Sequence, residues 1–329
     1  MVKYTIQRLL AGVLTLLVAM IAIFMLVQLM PNSLMDTLVN FGGDDGTGGN
    51  FVTQQTVEAI MERFGWDRPL PVQFFNMLQR YLQLDFGISL VLRPNMAVAD
   101  VMATHLPVTI QLNFFALFLI LPAGLFFGIT TALLKNSVYD HVASTFVVFF
   151  IAAPGFVIAA LLQYFIAFRL GWFPVLLAAE ETLNWTRFYS MILPILAISF
   201  GPIAHMARVM RAELTEALTS EYMLLARAKG QSYRQAIMRH ALRNASVPLV
   251  GTFVFLIIGL LNGALIVELI FGVPGISRIL VSSINSHDYQ VALAIIYFYT
   301  AISIITAIIV DLSLGIIDPR IRMGGKRSG

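Results

Sequence analysis

Apolar and polar positions fall in long blocks along this chain. Six apolar runs stand out, at 9–30, 106–134, 142–168, 188–206, 247–270 and 291–310. A helix needs about 20 mainly apolar residues to cross the hydrocarbon core of a bilayer. The pattern therefore predicts an all-α polytopic membrane protein with six transmembrane helices. It also predicts a long segment after the first helix and a polar loop between the fourth and fifth. The fourth run is the shortest and holds Pro194 and Pro202. Proline and glycine recur inside runs two to five, at Pro122, Pro154, Gly155, Pro194 and Gly259. Such breaks are tolerated where neighbouring helices, hydroxyls or water satisfy the freed carbonyls. The first run spans 22 residues with Gln28 as its most polar member. A cleaved signal peptide has a shorter apolar region, of about 7–15 residues, so an uncleaved span is expected.

The segment 31–105 opens with "FGGDDGTGGN" at 41–50, a glycine-rich loop. Asp44 and Asp45 there lack calcium-loop spacing and read as solvated. Val57, Ile60, Met61 and Phe64 recur at helical spacing, with Gly65 as a stop. Val72, Phe75, Leu78 and Leu82 make a second stripe, and Val98, Val101 and Met102 a third. Such stripes serve as a core, a membrane-surface cap or a docking face.

Composition agrees with the runs. The chain is 58% hydrophobic and 12% charged, against about 25% charged in soluble domains. The net charge of +3 gives no reason to expect nucleic acid as a partner. Placing both termini on the inner side puts 14 of the 21 basic residues inside, and 12 of the 18 acidic residues outside. The positive-inside rule then makes both termini and the loop 207–246 cytoplasmic. The expected organisation is an inner terminus and first helix (1–30), an extracytoplasmic helical segment (31–105), a transmembrane core (106–317) and a cytoplasmic tail (318–329).

Much chemistry is excluded. Cysteine is absent, so there are no disulfides and no thiolate metal sites. No phosphate-binding loop, His-Glu-x-x-His or Gly-x-Ser-x-Gly occurs. An enzyme is not expected, nor a bound cofactor or metal. His105, His141, His205, His240 and His287 are scattered and read as packed or interfacial. Asp311 is the one ionisable residue placed by this pattern near the middle of a long apolar stretch. Asp318, Arg320 and Arg322 follow it, and a local pairing near the cytoplasmic surface is expected.

The stretch "EYMLLARAKGQSYRQAIMRHALRNASVP" at 221–248 concentrates positive charge. Leu214, Leu218, Tyr222, Leu225 and Ala226 share a helical face. Gly230 suits the left-handed position that ends a helix. Ser232 and Gln235 have capping-box spacing for a second helix, and Pro248 restricts the approach to the fifth run. Three readings compete: a basic loop on anionic lipid, a hairpin that serves folding only, and a docking element for a cytoplasmic partner. Small residues at Ala226, Ala228 and Gly230 with flanking charge suit the third.

At these residues the chain resembles the cytoplasmic loop motif of ABC importer permeases of the dipeptide/oligopeptide/nickel-type family. "ARAKG" followed by "RHALRNASVP" carries the likeness. Where importers at large have Glu-Ala-Ala, this chain has Leu224, Leu225 and Ala226. "FGWDRPLPVQFF" (64–75), "LDFGIS" (84–89), "HLPVTIQL" (105–112), "VELIFGVPGISRIL" (267–280), "DYQ" (288–290) and "DPRIR" (318–322) extend it in order along nearly the whole chain. "MPNS" (30–33) and the insertion at 41–50 depart from the family pattern.

The resemblance implies a permease subunit of a binding-protein-dependent importer, in a bacterial or archaeal inner membrane. It implies a second, similar permease, two ATPase subunits that hold ATP and Mg, an extracytoplasmic solute-binding protein and surrounding lipid. It also implies an ATPase-coupling loop comprising Glu221, Leu224, Leu225, Ala226, Arg227, Ala228, Lys229, Gly230, His240 and Ala241. Phe271, Gly272, Pro274 and Gly275 form a turn that either shapes an outer gate or simply connects two helices. Gln111, Asn113, Gln163 and Asn262 either line a wet path or pack between helices. The solute is not readable from the sequence. The rival reading is a self-sufficient secondary transporter or channel, which would need ion or proton sites within the membrane.

Overall fold

The computed structural model describes residues 2–28, 68–180, 182–261 and 264–317. Among these the chain is helical, with no strand and a single isolated bridge between Ile88 and Ala97. The helices in order are α1 (Val2–Gln28), α2 (Leu70–Leu82), α3 (Val98–Leu133), α4 (Val138–Ala152) and α5 (Gly155–Leu161), which continues as a π-helix (Leu162–Arg169). Next come α6 (Trp185–Leu218), α7 (Glu221–Ala228), α8 (Tyr233–Ala236), a π-helical turn (Ile237–Ala241) and α9 (Leu242–Ala245). Then follow α10 (Leu249–Ile258) with a 3₁₀ turn (Gly259–Leu261), α11 (Leu265–Ile270), α12 (Ile276–Asn285) and α13 (Tyr289–Ile317).

Four helices are long and apolar enough to cross a membrane, or up to six if two bent pairs each count as one span. Prolines explain only part of this. Pro107 and Pro122 lie inside a continuous α3, and Pro194 and Pro202 inside a continuous α6. The third run, expected as one helix over 142–168, is instead bent by 105° between α4 and α5. The residue before a proline is pushed out of the helical region, and Ala153 is extended at φ −71°, ψ 127° before Pro154. The fifth run, expected as one helix over 247–270, is divided into α10, its 3₁₀ turn and α11.

The described residues fall in two compact units, one within Met1–Leu9, Pro107–Gly275 and Ile305–Gly329, the other within Leu10–Leu106 and Ile276–Ile304. In the first unit α3 packs closely on α6. A Cβ at Gly124 would lie 2.7 Å from Met206 Sδ, and one at Gly128 would lie 2.6 Å from Met210 Cβ. This is the small-xxx-small spacing that lets helix backbones approach. The sequence reading missed this pair, although Gly-x-x-x-Gly in an apolar run is a readable signal. Asp140, in the first turn of α4, is tied to α6 by a bidentate pair with Arg211, at 2.7 and 2.8 Å. Arg8 and Asp311 pair at 3.1 Å. Asp311 therefore pairs with the amino-terminal helix. Asp318, Arg320 and Arg322, among which a local pairing was expected, lie outside the described residues.

The second unit has its own core, formed by Met20, Tyr81, Phe86, Val98, Val101, Met102, Ile276, Val291, Ala294 and Ile295. Val98, Val101 and Met102 are the first turns of α3, not a separate stripe, so the boundary at 105/106 falls inside a helix. The stripe on α2 is rotated from expectation. Phe75 and Leu82 are exposed, while Tyr81 is buried and Phe74, Met77 and Leu78 are half-buried against the core. The buried Asp288 accepts from Ser89 Oγ and from the backbone N–H groups of Val91 and Leu92, which fixes the loop after Phe86. The stripe at 57–64, the loop 41–50 and the tail 318–329 lie outside the described residues.

Candidate functional site: the segment 221–245

The basic stretch folds as a helix, a glycine turn and a second, irregular helix. α7 ends in a Schellman closure, the pattern that satisfies a helix's last carbonyls through a left-handed residue. Gly230 N–H donates to Arg227 O at 2.9 Å and Gln231 N–H to Ala226 O at 3.2 Å. Gly230 supplies the required left-handed conformation at φ +84°. The second helix starts with the expected capping box, in which Ser232 and Gln235 each accept from the other's backbone N–H. A π-helical turn over Ile237–Ala241 follows. Extra residues of this kind often mark functional positions.

Packing below this elbow uses very small side chains. Ala226, Ala236, Ala241 and Ala245 are buried with Met223, Ile237 and Leu249 against Met206, Met210, Leu214 and Ala217 of α6. The expected shared face of Leu214, Leu218, Tyr222, Leu225 and Ala226 does not form. α6 stops at Leu218, and Thr219 and Ser220 separate it from α7. The restarted helix buries Met223 and Ala226, leaving Leu224 at 67% and Leu225 at 56% exposure. Tyr222, Tyr233 and Met238 are also exposed.

The predicted site residues therefore separate into three groups. Glu221, Leu224, Leu225, Arg227, Ala228, Lys229 and Gly230 lie on the surface. Ala226 and Ala241 lie inside, so their smallness serves the segment's own packing, not the approach of another molecule. His240 is half-buried, its Nε2 3.2 Å from Gln231 Oε1 across the turn. The Arg227 guanidinium lies 5.7 Å from the centre of the Tyr233 ring, which joins the two helices over the elbow. The exposed residues of this segment are apolar at Leu224, Leu225 and Met238 and carry charges of both signs at Glu221, Arg227, Lys229 and Arg234. Hydrocarbon would not solvate Glu221, Arg227, Lys229 and Arg234 there.

The residues at 271–275 have a different character. Phe271 and Val273 are buried in the core of the first unit, and Gly272 takes φ +66°. Gly275 touches the buried Glu268. Two of the four polar residues that either line a wet path or pack between helices, Asn113 and Gln163, bond backbone carbonyls. Asn113 Nδ2 donates to Leu260 O, and Gln163 Nε2 donates to Val175 O and Ile270 O. Asn262 lies outside the described residues. Glu268 was missed by the sequence reading, which singled out Asp311 alone. It stands near the end of the fifth run and is fully buried. Its hydrogen-bond donor, Thr109, is 159 positions away.

Residues 124–323 match the family model described as "Binding-protein-dependent transport system inner membrane component". The dipeptide transport system permease protein DppB of Bacillus subtilis (strain 168) is 34% identical over 326 residues, covering 99% of this chain and 100% of the relative. The glutathione transport system permease protein GsiC of Escherichia coli (strain K12) is 33% identical over 325 residues, covering 98% and 99%. A crystal structure of an amino acid ABC transporter aligns with 64% of this chain and 92% of its own, at a TM-score of 0.47 and 20% identity. With a model match over most of its length and relatives similar from end to end, the chain belongs to the family of binding-protein-dependent transport system inner membrane components, as a peptide-type ABC importer permease.

Proposed function

We propose that this permease forms half of a translocation pathway for peptides and that the outward face of α7 and α8 receives an ATPase subunit. The observation that carries this is the exposed pair Leu224 and Leu225, in a segment that also exposes Glu221, Arg227, Lys229 and Arg234 and buries its alanines against α6. Apolar centres with charged rims are the usual anatomy of protein interfaces. The peptide class is supported by the printed names of relatives such as the dipeptide and glutathione permeases. Six passages are assigned to α1, α3, α4 with α5, α6, α10 with α11, and α13. Both termini and the 221–245 segment are cytoplasmic in this reading, on the distribution of arginine and lysine.

No nucleotide-binding motif lies in the chain, so the energy of ATP arrives through contact. ATP and Mg reside on two partner ATPase subunits, a second permease completes the pathway, and an extracytoplasmic binding protein delivers solute. ATP-driven closure of the partners carries α7 with it, and the packed base passes that movement to α6. A shift of this kind requires the ATPase to bind one conformation of the permease better than the other.

The test is reconstitution with the second permease, the ATPase subunits and the binding protein in proteoliposomes. Uptake over a panel of di- and oligopeptides is expected only with ATP. Leu224→Asp with Leu225→Asp should weaken retention of the ATPase subunits by about tenfold or more, the effect of losing a central apolar contact. Uptake by the permeases without the ATPase, or unchanged retention by the double variant, overturns the reading.

A further inference from the structure

The break in the fifth apolar run is bridged by one face of α3. Thr109 and Asn113 lie four positions apart, which places them on one helical face. Asn113 Nδ2 donates to Leu260 O at 3.2 Å, in the 3₁₀ turn before the break. Thr109 Oγ1 donates to Glu268 Oε1 at 2.9 Å, in α11 after it. Two polar side chains from one helix thus hold the two sides of the interruption.

α11 is only six residues long, too short to keep its direction by its own hydrogen bonds. Its direction comes from outside contacts. Val273 N–H donates to Glu268 O at 2.8 Å and closes the helix into the following turn. Gln163 Nε2 donates to Ile270 O at 2.6 Å, and Leu177 N–H to Phe271 O at 2.8 Å, so the carbonyl end is met by the segment after α5. At Gly275 a Cβ would lie 2.5 Å from Glu268 Cδ, Glu268 Oε2 and Thr109 Oγ1. The turn therefore closes directly over the Thr109–Glu268 bond, and only a glycine leaves room for it. A carboxyl group in an apolar run is expensive to bury without a partner, and Thr109 supplies one.

We propose that Glu268 is a positioning residue: with Thr109 and Asn113 it clamps the interrupted fifth passage, so that α11, the 271–275 turn and α3 move as one body during transport. The contacts place Glu268 beneath the turn, where it fixes α11 instead of contacting solute. The inference rests on the reading of this chain as a transport permease only for its second readout below.

The first readout needs no transport. The chain has no cysteine, so Val267→Cys provides a single thiol at a buried position of α11. In the assembled complex in membrane vesicles, Glu268→Ala and Thr109→Val should each raise the maleimide labelling rate of that thiol about tenfold, the scale of leaving one buried polar group without its hydrogen bond. Glu268→Gln keeps the shape and an acceptor for Thr109, and should return the rate to within about twofold of the parent. The second readout is peptide uptake per ATP hydrolysed, which should fall about tenfold in Glu268→Ala and recover in Glu268→Gln. Unchanged labelling in both Glu268→Ala and Thr109→Val overturns the clamp. Labelling that rises equally in Glu268→Gln and Glu268→Ala also overturns it, since mere loss of packing or charge then suffices. If the parent complex shows no ATP-driven uptake, the transport reading fails, while the labelling result still decides the clamp.

Discussion

Two interrupted helical segments of the first unit solve opposite problems. The segment 221–245 turns at a solvent-facing glycine, rests on alanines and leaves Leu224, Leu225 and Met238 exposed. The segment 264–275 closes over a fully buried glutamate, and its residues at Phe271 and Val273 join the core. The two glycines show the contrast. Around Gly230 nothing lies within 4 Å of a built Cβ, and its φ is +84°. At Gly275 the obstacle is three atoms at 2.5 Å. One glycine is required by backbone conformation and the other by crowding. A turn that presents a surface keeps free space around it, whereas a turn that locks a break fills that space.

The largest effect is expected from Gly275→Ala, since its methyl group must displace Glu268 or Thr109. Overpacking of this kind costs about 1–3 kcal/mol, read as a lower thermal midpoint of the purified complex. A midpoint equal to that of the parent would erase the distinction between the two glycines. Gly230→Val comes next, with a conformational cost of about 1–2 kcal/mol for leaving the left-handed region to a residue that resists it. It should uncouple ATP hydrolysis from uptake in vesicles. Gly230→Asn should restore most of the coupling, because asparagine tolerates that region and open space surrounds it. Equal damage from valine and asparagine would mean that the site is crowded when assembled. Ser232→Ala should have the smallest effect, about 1 kcal/mol from the lost cap, seen as faster limited proteolysis near Gln231.

These differences mark what could be read from sequence. The capping box at Ser232 and Gln235 and the left-handed Gly230 were legible because their geometry is set by residues within one turn. The long helices α3, α6 and α13 were legible because an apolar run of that length has few alternatives. The bend at Pro154 was not, because Pro107, Pro122, Pro194 and Pro202 carry the same local restriction without ending a helix. The residues beside each proline do not tell the two outcomes apart. The burial of Glu268 was hidden for the same reason, since its donor Thr109 belongs to another helix. The face of α7 was misassigned because Thr219 and Ser220 interrupt the helix and reset its phase. The elbow's alanines were noticed, but their direction, inward or outward, depends on that phase.

The four alanines beneath the elbow have a mechanical consequence. Larger side chains take up an applied displacement by changing rotamer, as springs absorb a blow. Alanine has no rotamer to change, so Ala226, Ala236, Ala241 and Ala245 add no side-chain freedom of their own to the layer they share with Met206, Met210 and Met223. In the docking proposed for α7, these four rotamer-free positions belong to the layer through which any displacement of α7 would have to pass to α6.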